Sequence, residues 1–136
     1  MIKKKLLINN ASKAKFVALE EEIIASGLIS LPFTVTILSM GCDGHFASIF
    51  SDMLENKNFA NPNGTPKILK TCPQGDLKHR RITMNLAMIL KSKSIFLLIH
   101  GKNKLKILKE AKTNRDLPVN RLIEQNIKSI IIDHRN

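Results

Sequence analysis

The sequence predicts an α/β fold with an open, mostly parallel sheet and flanking helices on both faces. Two apolar, β-branched segments, 32–40 and 94–101, have the composition of buried parallel strands, and a glycine marks the end of each. Apolar residues at helical spacing follow both segments, and strands that alternate with helices form parallel sheets. A chain of 136 residues that is 43% hydrophobic and 24% charged fits one folded domain, 1–136.

The first part of the chain is predicted to contain five elements before an Asn-, Pro- and Gly-rich surface loop at 55–66. Acidic residues in a first turn and apolar residues at helical spacing predict a helix, whereas β-branched runs predict strands. In chain order the elements are a helix end at 1–9, a short strand at 14–19, a helix at 20–31, the strand at 32–40 and a helix at 45–54.

The second part continues the alternation of strands and helices. Its helices are a basic amphipathic segment, KNKLKILKEAKTN, and a short segment with proline near its start, LPVNRLIEQ. The predicted order is a strand in KILKTC, a basic turn in PQGDLKHRR, an extended-to-helical segment in ITMNLAMILKS, the strand at 94–101, the two helices and a last strand in KSIIIDH.

Residues that could take part in catalysis or ligand binding follow the predicted strands 32–40 and 94–101. The first is followed by GCDGH, 41–45, and the second by GKNK, 101–104. Ligands of open α/β sheets bind at the carboxyl ends of parallel strands, so both segments are expected at the same edge.

The GCDGH segment has a catalytic and a structural interpretation. Glycine permits a sharp turn, and Asp43 could hydrogen-bond His45 and leave its imidazole as a general base near neutral pH. A helix that begins near His45 would also direct free backbone N–H groups towards an anion. An Asp followed by Gly is common in turns, and a lone histidine at a helix start is more often structural than catalytic, so spacing alone leaves both roles open.

The basic residues also allow two interpretations. Lys102 and Lys104 could bind a phosphate as point charges, or they could begin a solvated basic helix face that Lys106, Lys109 and Lys112 continue. The segment KHRR, 78–81, could clamp a phosphate or form a surface turn.

The composition restricts the class of partner. A net charge of +11 and a pI of about 10.0 favour an anion: a nucleic acid, an anionic membrane surface or a phosphorylated small molecule. The lack of Tyr and Trp argues against a single-stranded nucleic-acid surface, and no apolar run is long enough to span a bilayer. The two cysteines have no C-x-x-C or H-x-x-x-H spacing, which predicts no metal site. The basic start lacks the long apolar core of a secretory signal, which predicts a cytoplasmic protein.

The segment LSMGCDGHFASIF, 38–50, strongly resembles the signature of 6-phosphogluconolactonases, L-G-M-G-x-D-G-H-T-A-S-L-F. Further segments resemble family patterns in the same order: RRITM its R-R-[IV]-T-[LM], GKNK its T-G-x-x-K, and LPVNRL its L-P-A-S-x-[LV]. The related sugar-phosphate deaminases carry a glutamate five residues after the histidine, where this chain has Phe50. The resemblance is therefore to the lactonase branch.

The resemblance implies the glucosamine-6-phosphate isomerase and 6-phosphogluconolactonase type of fold. It implies an enzyme of the oxidative pentose phosphate pathway that hydrolyses a phosphorylated sugar lactone, 6-phosphogluconolactone, without a metal or organic cofactor. His45 matches the family's general base, which takes a proton from water, and Asp43 matches the acid that orients it. The positions implied to shape the turn or hold the substrate are Gly41, Gly44, Lys104 and Arg81.

The resemblance covers only the C-terminal part of the family pattern. No counterpart of its N-terminal Gly-Gly-[ST] loop or acidic-Glu-Arg segment is found in this sequence. Half a parallel sheet would expose an edge and an apolar face, so a homodimer or a separate N-terminal chain is an expected partner. The alternative function is that of a catalytically inactive member, which binds a phosphate ligand or nucleic acid or serves as a subunit of a split enzyme.

Overall fold

The computed structural model describes residues 5, 7–21, 23, 26–72, 79–125 and 130–135. Two 3-10 turns, Asn9–Ala11 and Ser51–Met53, accompany the regular elements. The strands are β1 (Phe33–Ser39), β2 (Ile68–Lys70), β3 (Ile82–Met84), β4 (Ser92–His100) and β5 (Ile130–Arg135). The α-helices are α1 (Lys57–Ala60), α2 (Leu86–Leu90), α3 (Lys102–Glu110) and α4 (Pro118–Ile123).

The main sheet is parallel, as the alternation of elements predicts. Its strand order is β1-β4-β5, and both pairs run parallel. Ser39 pairs with Leu98 near the carboxyl ends of β1 and β4, so the segments that follow these strands begin at one edge of the sheet. A separate antiparallel pair, β2 and β3, precedes α2.

One face of the main sheet, the inner face, is buried. In β4 every second side chain, from Ile95 to Ile99, is withdrawn from water, as the period of two in a strand requires. Helices α2, α3 and α4 supply the apolar residues that cover this face, and the principal core members are Leu38, Met40, Phe46, Leu86, Ile89, Leu97, Leu108, Val119 and Leu122.

The other side of the same strands, the outer face, carries exposed apolar side chains. Val35 is 48% exposed, Ile37 is 66% exposed and Leu98 is 42% exposed. In the part of the chain that the structure describes, helices therefore cover one face of the sheet and not both. An exposed apolar face was expected for half of a parallel sheet, and this expectation is confirmed.

The predictions for the N-terminal segment are wrong where the structure describes it. Residues 14–19 form no strand, because they find no partner strand to pair with. The described residues of 20–31 form turns and bends instead of a helix, since Gly27 has a φ of +67° and Ser26 Oγ donates to the Ile23 carbonyl. The predicted helix end at 1–9 and the turn PQGDLKHRR fall largely outside the described residues.

The predicted loop at 55–66 contains the short helix α1, and a buried asparagine holds it in place. Asn85 caps α2 by accepting from the Met88 N–H, at 2.9 Å. Its amide nitrogen donates to the carbonyls of Asn58 and Thr65, at 3.0 and 2.9 Å. The two bonds of the amide nitrogen join the N-cap of α2 to the 58–65 segment, and the third closes the first turn of α2.

The remaining predictions for the second part of the chain are confirmed. The strand in KILKTC is β2, and the extended-to-helical segment is β3 followed by α2. The strand at 94–101 is β4, the two later helices are α3 and α4, and the last strand is β5. None of the helices in the described ranges is long and apolar enough to cross a bilayer.

Candidate active site

The GCDGH segment forms a closed turn directly after β1. The Gly41 N–H donates to the His45 carbonyl at 2.8 Å, and the Gly44 N–H donates to the Gly41 carbonyl at 3.2 Å. Met40 and Phe46 pair in an isolated antiparallel bridge across the base of the turn. The segment therefore returns to the strand from which it started.

The helix predicted at 45–54 is wrong. Ala47 and Ser48 have φ values of 45° and 57°, in the left-handed region, and the first helical residues are those of Ser51–Met53. Consecutive left-handed residues cannot continue a right-handed helix. No helix N-terminus lies at His45, and the expected support of its backbone N–H groups for an anion is absent there.

Asp43 holds the imidazole of His45. His45 Nδ1 lies 2.6 Å from Asp43 Oδ1, and the His45 backbone N–H donates to the same oxygen at 3.3 Å. The His45 side chain is 29% exposed and that of Asp43 is 60% exposed, so the pair lies at the surface. A neutral imidazole that donates from Nδ1 carries its lone pair on Nε2, which can then accept a proton.

A ring contact and a glycine also determine where the imidazole lies. The centroids of the His45 and Phe50 rings lie 4.5 Å apart with an interplanar angle of 34°. Beneath it, a Cβ added to Gly41 would overlap His45 Cε1 and Nδ1 and also Asp43 Oδ1. Only glycine at position 41 allows the imidazole and the carboxylate to lie this close to the backbone.

The carboxylate is electrostatically adapted to this contact. Partial burial acts to raise the pKa of Asp43, but hydrogen bonds from the His45 ring and backbone N–H, together with the imidazole charge, bring the pKa below its ordinary value. Asp43 is therefore ionised at neutral pH and accepts from His45.

Residues far along the chain pack against Gly44, the second glycine of the turn. Gly44 is buried with a φ of +80°, and a Cβ added to it would meet Leu117 at 3.4 Å and Ile107 at 3.6 Å. The Val119 N–H donates to the Gly44 carbonyl at 3.0 Å. The start of α4 therefore packs on the histidine-bearing turn, a relation that no local pattern in the sequence indicates.

The segment after β4 is a direct connection into α3 and not a closed turn. Gly101, with a φ of +94°, precedes α3, and no side chain caps this helix. Lys104 is half-buried, whereas Lys102 and Lys106 are exposed. Ile107 lies one turn after Lys104, on the same face of α3, and is the residue that approaches Gly44. The helix face that carries Lys104 is therefore directed towards the turn of His45.

Arg81 belongs to a different part of the fold from the two strand ends. It precedes β3, is exposed, and pairs its backbone with Thr71 in the two-stranded sheet. The structure joins Gly41, Asp43, Gly44 and His45 in one turn and brings α3 against it, but it places Arg81 in another element.

The described residues contain no group of three or more His, Cys, Asp or Glu side chains arranged to hold a metal ion. Cys42 and Cys72 are both free and exposed.

Comparison with known proteins gives a consistent result. The model of the family described as glucosamine-6-phosphate isomerases/6-phosphogluconolactonase matches residues 4–131. A 6-phosphogluconolactonase of Pseudomonas aeruginosa is 32% identical over 133 residues, which are 88% of this chain and 56% of that protein. One from Caulobacter vibrioides is 29% identical over 92% of this chain and 58% of its own length. The chain thus spans about half the length of the curated relatives it matches.

Solved structures agree. The crystal structure of a 6-phosphogluconolactonase from Shewanella baltica matches with a TM-score of 0.76 and 30% identity, over 98% of this chain and 61% of that one. The enzyme from Thermotoga maritima matches with a TM-score of 0.62 and 29% identity, over 82% of this chain and 47% of that one. The chain belongs to the glucosamine-6-phosphate isomerase/6-phosphogluconolactonase family.

Proposed function

We propose that this chain carries the catalytic turn of a 6-phosphogluconolactonase, which hydrolyses 6-phosphogluconolactone to 6-phosphogluconate in the oxidative pentose phosphate pathway. The observation that supports this proposal most is the hydrogen bond between His45 Nδ1 and Asp43 at 2.6 Å. The relatives that match this chain are named 6-phosphogluconolactonases, and a histidine oriented in this way is a competent general base.

In the proposed reaction His45 activates water. Nε2 accepts a proton from a water molecule while the water oxygen attacks the carbonyl carbon of the lactone. The tetrahedral intermediate then collapses, the bond between the carbonyl carbon and the ring oxygen breaks, and the imidazolium returns the proton to the ring oxygen. The ionised carboxylate of Asp43 stabilises the imidazolium between the two steps.

Lys104 is proposed to hold the phosphate of the substrate. Lys104 is half-buried and is the third residue of α3, a helix whose first backbone N–H groups have no partners within the helix. Both features favour an anion there. Arg81 remains a further candidate for phosphate binding, although it lies directly before β3 of the other sheet.

The test is hydrolysis of 6-phosphogluconolactone by the purified chain, measured against the spontaneous rate. We expect His45→Ala to lower the catalysed rate by about 10² to 10⁴, as expected for loss of a general base. Lys93→Ala, which removes an exposed side chain at the opposite end of β4 from the site, is the control and should keep the unmodified rate. A His45→Ala variant as active as the unmodified chain would exclude this mechanism, and a chain no faster than the blank would exclude the activity.

A further inference from the structure

We propose that Asn120 is a positioning residue that fixes helix α3, and with it Lys104, relative to the turn of His45. The importance of this relation rests on the proposed function, because a lactonase must hold the phosphate of its substrate at a set distance from the base. The contacts themselves are independent of that function.

Asn120 closes the C-terminal end of α3. The residue is 1% exposed, and its Nδ2 donates to the Ala111 carbonyl at 2.8 Å. Ala111 is the C-cap of α3, and the last carbonyls of a helix have no partners within the helix. This bond across nine residues therefore joins the end of α3 to α4 through a side chain.

The residue before Asn120 binds the other part of the site. The Val119 N–H donates to the Gly44 carbonyl at 3.0 Å, and Leu117 packs on Gly44. Two consecutive residues of α4 thus hold one bond to the histidine-bearing turn and one to the lysine-bearing helix. A displacement of Asn120 changes the relation between the two.

The opposite end of α3 gives little restraint of its own. It begins after Gly101, where an added Cβ would meet nothing within 4 Å and where no side chain caps the helix. Lys104 lies seven residues before Ala111, about 10 Å along the helix axis. The apolar face of α3, including Leu108, packs on the core, and apolar contacts set no single direction of the helix. The bond at Ala111 is the directional contact that fixes the tilt of α3, and hence the position of Lys104, relative to α4.

The two polar atoms of the Asn120 side chain differ in their hydrogen bonding, and this difference allows a positioning role to be distinguished from a role in stability. Its Oδ1 is buried and has no hydrogen-bond partner among the described residues. A buried acceptor without a partner opposes folding, so the side chain is useful here only as a donor. Leucine has nearly the same shape and would remove both the unsatisfied acceptor and the bond to Ala111.

The first test needs no ligand. We expect Asn120→Leu to stay folded but to shift the amide resonances of 102–104 and 41–45 in the ligand-free chain. Asn120→Ser, which restores a hydroxyl donor and is the residue of the family pattern, should move them back towards their original positions. The matched control is Asn85→Ala, which removes a buried, fully hydrogen-bonded asparagine whose side-chain bonds reach neither segment. The proposal is overturned if Asn120→Leu leaves both sets of resonances unmoved, or if Asn85→Ala moves them equally.

A second measurement connects the geometry to the substrate. Inorganic phosphate needs only the Lys104 end of the site, whereas 6-phosphogluconate must reach both Lys104 and His45. We expect Asn120→Leu to keep the affinity for phosphate and to lower the affinity for 6-phosphogluconate about tenfold; equal losses for the two probes would contradict a positioning role. If the unmodified chain binds neither probe, the proposed function fails, while the amide spectra still decide the role of Asn120.

Discussion

The two strand ends of the site, after β1 and after β4, lie side by side but differ in how tightly they are built. The turn after β1 is closed by backbone hydrogen bonds and has no room for even one methyl group at Gly41. The end of β4 passes through Gly101 into α3 with open space around that glycine. A general base must meet a reacting proton within hydrogen-bond reach, whereas a phosphate cation acts as a point charge. The tighter construction therefore coincides with the stricter chemical requirement.

The largest expected difference between the two ends concerns their glycines. Gly41→Ala should displace the His45 ring and lower the rate of lactone hydrolysis by at least about a hundredfold, as loss of the base would. Gly101→Ala should keep most of the rate and instead lower the free energy of unfolding by about 1–3 kcal/mol, because its backbone conformation is strained for alanine. Initial rates and urea unfolding of both variants measure the contrast. Equal rates would show that the two ends are equally tolerant.

The next effect tests the cation at the β4 end. Lys104→Ala should raise KM for 6-phosphogluconolactone roughly tenfold to a hundredfold and change kcat less, since one charge-assisted contact contributes about 1.5–3 kcal/mol. Lys102→Ala, which removes an exposed lysine of the same helix, should alter KM by less than about threefold. If Lys102→Ala raises KM more than Lys104→Ala does, the phosphate is bound by Lys102 and not by Lys104.

A smaller effect is expected for the acid of the β1 turn. Asp43→Asn removes the charge beside the imidazole and should lower kcat about tenfold, less than for a buried acid because the Asp43 side chain is 60% exposed. Steady-state rates near neutral pH measure this effect. An unchanged kcat would show that Gly41 and Phe50 alone orient the ring.

The same variant has a defined pH signature in stability. Folding lowers the pKa of Asp43 from its ordinary value of 3.8, so the ionised carboxylate favours the folded state at all pH values above 3.8. This contribution is lost only as the pH falls through the lower folded pKa. The difference in unfolding free energy between the unmodified chain and Asp43→Asn should therefore be present at pH 5 and decrease as the pH falls through the folded pKa of Asp43.

The smallest effect concerns backbone strain in the β1 turn. Ala47→Gly should raise the free energy of unfolding by about 0.5 kcal/mol, since the left-handed backbone that alanine adopts at a cost is free for glycine. Ala60→Gly, at the end of helix α1, should lower it by about 0.5–1 kcal/mol. Urea denaturation distinguishes the two signs, and destabilisation by Ala47→Gly would show that the turn is unstrained.

The sequence was sufficient for the parts of the site that are local. Asp43 and His45 are two residues apart, so a glycine turn brings them together without information from the rest of the chain. The two strands that precede the site, β1 and β4, were predictable because each is an apolar segment with a glycine at its end. The shared edge follows from their parallel pairing.

The errors have a common physical origin in tertiary contacts. The residue types of 45–54 are compatible with a helix, but Phe46 is drawn into the core and pairs with Met40, which leaves Ala47 and Ser48 in left-handed conformations. The docking of Val119 on Gly44 spans 75 residues and has no sequence signature. A strand such as the one expected at 14–19 requires a partner that the segment alone does not reveal.

The outer face of the sheet also affects how copies of this molecule behave towards one another. This face exposes apolar side chains that favour association between copies, those of Val35, Ile37 and Leu98. A net charge of +11 opposes association, because copies of the chain repel each other. The repulsion is long-ranged only in dilute buffer, because the Debye length shrinks to about 10 Å at 0.1 M salt. Colloidal stability of the chain should therefore decrease as ionic strength rises, through a surface that has no role in the proposed chemistry.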